Sequence, residues 1–287
     1  MTSRTYPIGK LRLDSGTNVL SMSNAGIIGL RLAVDETTEL LKSLSEAEWA
    51  APSGCAGWSV KDVVAHIASN YKETVDPSPP PAEPIVLPAE QMMELLVAPR
   101  KEWSAAQVLD EYVRHAGSAI DVLASMQDEP LASTVIPLAD LGMYPMHQLA
   151  DAFAFDGYCH LRVDILAPFG PINRRVPTAT ADHLTATIGW MLAGIPQMQP
   201  GLENSLKAPL RLTLTGPGGG SWVIRPGKET IEVVADPEGA LGSAATATSD
   251  GHDFVMWGTT RSPWRDHVEV AGDASVAATF LDALNII

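Results

Sequence analysis

MHQLADAFAFDGYCHLRVDIL, residues Met146 to Leu166, decides the fold. Pro145 stands at the start of this stretch, and Pro168 and Gly170 end it, so its span is that of a helix. Met146, Leu149, Phe153, Asp156, His160 and Val163 are spaced 3, 4, 3, 4, 3. That is the seam of a helix buried in a bundle. Two of the six positions hold Asp156 and His160, although an unpartnered buried carboxylate costs several kcal/mol. Lying i and i+4, the two side chains leave one helix face about a turn apart. Spacing leaves two readings open, a pair chelating a divalent metal and a buried Asp–His hydrogen bond.

Outward from this helix, others can be read from their apolar periods. The first runs from about Ala25 to Leu44 on Ile27, Leu30, Val34, Leu41 and Leu44. A second opens at Ser59, with Asp62 completing a weak capping box, and buries Val60, Val63, Val64, Ile67 and Tyr71. On the flank of that stripe, in line with Val63 and Asn70, sits His66. Alone it reads as a half-buried histidine satisfied by a backbone carbonyl. With Asp156 and His160 it makes a two-histidine, one-carboxylate set that leaves coordination positions open, as catalytic zinc sites do. A common cation would require the three ligating atoms within roughly 4–5 Å of one another, since Zn–N and Zn–O bonds are ~2 Å. A third helix is expected from about Pro99 to Met126 and a further one from Ala181 to Leu192. Six prolines in residues 76–88 exclude a helix interior or central strand there.

The composition changes after Ser205. LRLTLTG (Leu210–Gly216), SWVIR (Ser221–Arg225) and TIEVVA (Thr230–Ala235) read as strands, SAATATS as a weaker one, and FVMWG (Phe254–Gly258) as strand or helix. HVEVAGD leads into a last helix, Ala274 to Leu284. The fold class is therefore α followed by α+β: an extended arm over 1–22, a bundle of four or five helices over 23–204 and a small α+β domain over 205–287. GPGGG (Gly216–Gly220) lies between two strands and lacks a following helix, which makes it a hairpin turn rather than a phosphate loop.

The chain has 287 residues and a formal net charge of −15. So acidic a surface argues against a nucleic-acid partner and against docking on anionic membranes. Two cysteines, Cys55 and Cys159, exclude a disulfide scaffold. Without a signal-peptide core or a membrane-spanning run, a cytoplasmic protein is expected. Cys159 and Cys55 are read as packing residues, Cys55 within reach of the site from the preceding loop. His115, His147, His183, His252 and His267 show no ligand spacing and are read as surface or capping residues. Trp190, Trp222 and Trp257 are read as core or interface anchors.

GWSVKDVVAHIA (Gly57–Ala68) resembles the G-W-[ST]-V-x-[DE]-x-x-x-H motif of mycothiol-dependent maleylpyruvate isomerases, and DGYCHLRVDIL (Asp156–Leu166) resembles the second metal-binding helix of that family. LRLTLTGPGGGSWVI, MWG and VEVAGDASVAATFL are similar to its C-terminal domain, so the resemblance covers roughly residues 25–285. It implies a DinB-like four-helix bundle followed by a sterol-carrier-like domain. It also implies a divalent metal, Zn²⁺ by preference, on His66, Asp156 and His160, and mycothiol or another low-molecular-weight thiol as cosubstrate for a small electrophile. The implied activity is that of an isomerase or thiol S-transferase. Two departures bear on the substrate. The family more often has Glu where this chain has Asp156, and often has Arg directly after Trp-Gly where this chain reads MWGTTR. Arg261, displaced by two residues, becomes the candidate for gripping a substrate carboxylate, against the reading of an exposed arginine on a turn. Two alternatives stay open: a small-molecule or lipid-binding protein with a structural metal site, and a metal hydrolase.

Overall fold

Serines start several helices by the same local chemistry. Ser45, Ser59 and Ser104 each accept the amide of the residue three on, and the side chain of that residue (Glu48, Asp62, Gln107) accepts the serine amide in return. Such a cap contributes about 1 kcal/mol and fixes where the helix begins. In the computed structural model, which describes residues 24–79, 87–228 and 230–286, these caps open three of the helices. The arm expected over 1–22 and the centre of the proline-rich stretch lie outside the described residues.

The helices of the N-terminal part are α1 (Ala25–Lys42), α2 (Glu46–Trp49), α3 (Val60–Val75), α4 (Ala89–Val97), α5 (Ala105–Ser125), α6 (Leu149–Cys159) and α7 (Ala181–Gly194). Strands β1 (Val135–Pro137) and β2 (Met143–Pro145) pair as a small antiparallel hairpin before α6. The C-terminal part holds β3 (Leu210–Thr215), β4 (Gly220–Pro226), β5 (Ile231–Ala235), β6 (Ala245–Asp250), α8 (Gly251–Gly258), β7 (Glu269–Gly272) and α9 (Ala274–Leu281). Its sheet has the order β5-β4-β3-β6-β7, with β3 and β6 parallel and the other pairs antiparallel. GPGGG forms the turn of the β3–β4 hairpin, and Phe254–Gly258, left open between strand and helix, lies in α8.

Two boundaries differ from expectation. The helix expected from Pro99 begins at Ala105, because Ser104 and Gln107 cap it there, while Pro99 sits in a 3₁₀ turn that closes α4. The helix expected from Pro145 to Pro168 is α-helical only to Cys159 and continues as a π-helical turn over His160–Ile165.

α3 packs on α5, and α1 packs on both α6 and α7, around a core that includes Leu30, Val64, Ile67, Tyr112 and Ile120. A second core lies between the sheet, α8 and α9, where Leu210, Leu212 and Leu214 alternate inward from β3. Tyr158 and Cys159 of α6, with Leu184, Ile188 and Met191 of α7, belong to this second core. α7 thus touches both parts. A Cβ on Gly157 would fall 2.9 Å from that of Ala33, so the glycine lets α6 press directly against α1. The buried trio Arg162, Glu36 and His183 ties the same elements, with Arg162 Nη2 at 2.5 Å and His183 Nε2 at 3.1 Å from the Glu36 carboxylate. His183 is therefore both the capping residue expected and a buried partner.

Candidate metal centre

His66 leaves the middle of α3, Asp156 leaves the last turn of α6, and His160 opens the π-helical turn that follows and packs on α3. The Nε2 atoms of His66 and His160 lie 3.3 and 3.1 Å from the Asp156 carboxylate. The two imidazole rings meet edge to face, with centroids 5.0 Å apart. One ligand atom from each of the three residues can be chosen so that all lie within 4.8 Å of one another. That is inside the spread a single cation would span. Both histidines are buried, whereas the Asp156 side chain keeps 28% of its exposure and opens the cluster to a cavity.

Burial opposes ionisation of Asp156, but His66 and His160 outweigh it and hold its pKa well below the ordinary carboxylate range. Burial likewise depresses His160, and Asp156 more than reverses that, aided by Asp164. His66 differs. Its Nδ1 is buried and has no hydrogen-bond partner, so the backbone carbonyl expected for a structural histidine is not there.

The π-helical turn supplies the residue that sequence reading missed. Leu166 donates its amide to the carbonyl of Leu161, five residues back, which marks the widened register. On this turn Asp164 Oδ2 lies 2.8 Å from His160 Nδ1 and accepts its proton, so Nε2 is the ring nitrogen turned towards Asp156 and His66. Asp164 is nearly inaccessible, and Arg261 donates to both its oxygens, from Nε at 3.0 Å and Nη2 at 2.8 Å. Burial pushes the Asp164 pKa up, but His160 and Arg261 drive it below the usual range. Arg261 is thus not an exposed turn residue, since two of its three nitrogens clamp the carboxylate behind a candidate ligand. The repeat Asp156-x3-His160-x3-Asp164 was the signal that could have found Asp164.

The loop before α3 lies on this turn. Gly54 donates its amide to the Asp164 carbonyl at 2.7 Å, and a Cβ on Gly54 would stand only 2.9 Å from the Asp164 Cα. This contact brings Cys55 Sγ to 3.8 Å from His160 Nδ1. Cys55, His160 and Asp164 consequently form a second group with ligand spacing. The two groups share His160 through opposite nitrogens. Asp164 is already saturated by Arg261 and His160, which leaves the group with Asp156 as the open one.

Above Asp156 is a cavity of about 810 Å³. α4, which sequence reading missed, forms one wall, and Trp58 fastens it by donating Nε1 to Glu94 at 2.8 Å. Trp190, expected as an anchor, stacks on Tyr144 and also lines the cavity. Cys159 is buried as expected, and burial pushes its thiol up to about 12. Trp257 is a core residue whose Nε1 donates to Ser249. Among the other histidines, His252 meets the Tyr158 hydroxyl at 2.9 Å and His147 meets the Ala132 carbonyl, both away from the candidate ligands.

Residues 30–154 match the family model described as the mycothiol maleylpyruvate isomerase N-terminal domain. A solved structure of the mycothiol-dependent maleylpyruvate isomerase superposes with a TM-score of 0.52 at 16% identity, covering 86% of this chain and 91% of that one. A histidine-to-alanine mutant of the isomerase gives 0.51 over the same shares. The likeness therefore extends over the helical part and the sheet as one fold. Comparison with curated protein sequences finds no match. No helix among the described residues is long and apolar enough to cross a membrane.

Proposed function

We propose that this chain, whose residues 30–154 belong to the mycothiol maleylpyruvate isomerase N-terminal domain family, is a metal-dependent enzyme that adds a low-molecular-weight thiol, mycothiol by family, to a small electrophile. The observation that carries the reading is the convergence of His66, Asp156 and His160 at the floor of a cavity large enough for two small molecules. Pockets for small ligands span about 300–1,000 Å³.

The donor set fits a divalent cation, zinc by preference. Two imidazole nitrogens and one carboxylate are zinc ligands, and three protein ligands leave a position for an incoming group. Charge fits as well. Asp156, Asp164 and Arg261 with neutral histidines sum to a formal −1, which a divalent cation turns to +1. One thiolate then neutralises the site. When bound, the cation supplies Lewis acidity that keeps a neighbouring thiol ionised near neutral pH.

The remaining work belongs to the chain. His66 and His160 present Nε2, and Asp156 presents its carboxylate, all on the cavity side. Asp164 holds the Nδ1 proton of His160 and so fixes ring and tautomer, while Arg261 holds Asp164. The apolar walls keep water from competing for the electrophile. In an isomerase, sulfur bonds to one carbon of a cis double bond, the resulting single bond rotates, and the sulfur–carbon bond breaks to return the thiol. In a transferase the adduct is released. Both outcomes need the same floor of the cavity.

The test is metal analysis of the purified protein, followed by mass spectrometry of thiol adducts formed from mycothiol and an electrophile panel. One equivalent of metal and metal-dependent adducts are expected, with His160→Ala losing both while its far-ultraviolet circular dichroism stays helical. Metal-loaded protein inert towards every thiol and electrophile pair would refute the reading and favour a binding protein.

A further inference from the structure

The walls of the cavity bear on the second substrate. Resting on the reading above, we propose that the electrophile is an uncharged, largely apolar molecule and that the pocket discriminates against carboxylates. Met92, Met93, Leu141, Phe153, Trp190 and Met198 line the space beside Asp156. Three of these six are methionines, whose flexible, polarisable side chains adapt to apolar partners of varied shape.

Recognition of an anion at such a depth requires a free cation. Apart from the two candidate ligand histidines, Arg261 is the one cationic side chain lining the cavity among the described residues. Its Nε and Nη2 go to Asp164, whose side chain is 3% exposed. That bidentate pair offsets the guanidinium charge and occupies its Nε–Nη2 fork, which weakens its grip on a substrate carboxylate. Glu90 also lines the cavity and adds negative charge, whereas the Glu94 carboxylate is paired with Lys101. The chain as a whole carries −15, so the long-range field repels small anions before they arrive. The single positive charge left on a metal-loaded floor is met by the thiolate, and the second substrate then faces a largely apolar wall with no unpaired cation among the described residues but the remaining Arg261 nitrogen.

The experiment uses the full-length, metal-loaded protein with two matched pairs: 4-phenylbut-3-en-2-one against its para-carboxylate, and dimethyl maleate against maleate. With mycothiol present, each catalysed rate is divided by the uncatalysed rate of the same compound, which removes intrinsic reactivity. The neutral member of each pair should show at least a tenfold larger ratio. In parallel, quenching of tryptophan fluorescence without thiol reports binding alone. 4-Phenylbut-3-en-2-one should saturate at concentrations at least tenfold below those its carboxylate requires.

Equal or faster turnover of the carboxylates would overturn the substrate class while leaving thiol addition intact. Preferential binding of the neutral probe without any adduct would keep the substrate class and sink thiol addition. Lack of saturable binding by the neutral probe would overturn the proposal outright.

Discussion

Replacing Asp164 by Asn tests whether the residue behind His160 governs the metal site. The change keeps shape and burial but turns one acceptor oxygen into a donor amine. In the wild-type structure one oxygen faces Arg261 Nε, and the other accepts from both Arg261 Nη2 and His160 Nδ1. Whichever way the amide is flipped, its NH₂ faces a donor. With the NH₂ towards Nε one charge-assisted hydrogen bond, about 1.5–3 kcal/mol, is lost, and with it towards Nη2 and the imidazole two are lost. If the imidazole is the partner deprived, its tautomer is no longer fixed and metal affinity should fall about 10–100-fold, the usual cost of removing such a partner. At ~1.4 kcal/mol per decade this is about 1.4–2.8 kcal/mol, the same size as the lost bond. Competition with a chromophoric chelator gives the affinity, and thermal unfolding of the metal-free protein gives the stability change separately. The reasoning is refuted if Asp164→Asn binds zinc within a factor of two of wild type while remaining folded.

Gly54→Ala should weaken metal binding and lower stability by about 1–3 kcal/mol, because the new methyl would stand 2.9 Å from the Asp164 Cα and force the loop off the π-helical turn. A shift in chelator competition and in the denaturant midpoint would register it. Cys55→Ser should keep one equivalent of metal, since Cys55 approaches His160 from its Nδ1 side and not from the Nε2 face; loss of the metal in that variant would hand the site to the group with Asp164. Burial pushes the Asp151 carboxyl up to about 7, from an ordinary value of 3.8. The folded state then binds the extra proton between those pH values, so stability should fall as pH rises from about 4 to 7. The ceiling is about 4 kcal/mol, which partial solvent access reduces to about 1–2 kcal/mol. Asp151→Asn should remove that slope in urea titrations at pH 5 and pH 8, and an unchanged slope would refute the assignment.

The helical half was legible wherever local chemistry and burial agreed. The stripe of Val60, Val63, Val64, Ile67 and Tyr71 placed α3, where apolar period and cap pointed the same way, and the seam around Asp156 and His160 placed α6 by its period. The boundary near Pro99 was misread even though Ser104-x-x-Gln107 carries the same capping signature as Ser59-x-x-Asp62. α4 was missed since its buried surface is small, with Val97 its one fully buried residue. Asp164 escaped for a deeper reason. The apolar seam continues from His160 to Val163, and following it passed over Asp164, which lies four residues on from His160 and meets its imidazole. Its partner Arg261 comes from a remote segment just after α8, and no local period encodes that meeting.

The ion pair between Asp164 and Arg261 also limits how this fold can be taken apart. A gene fragment ending before β3 would still encode all three candidate ligands, yet it would strand the Asp164 carboxylate without the guanidinium that compensates it. Recombination between relatives meets the same constraint. A helical half and a sheet half drawn from different parents inherit a working pair only if both carry its members. The two halves should therefore travel through evolution as one unit, coupled by a contact whose second member, Arg261, lies outside either candidate ligand motif.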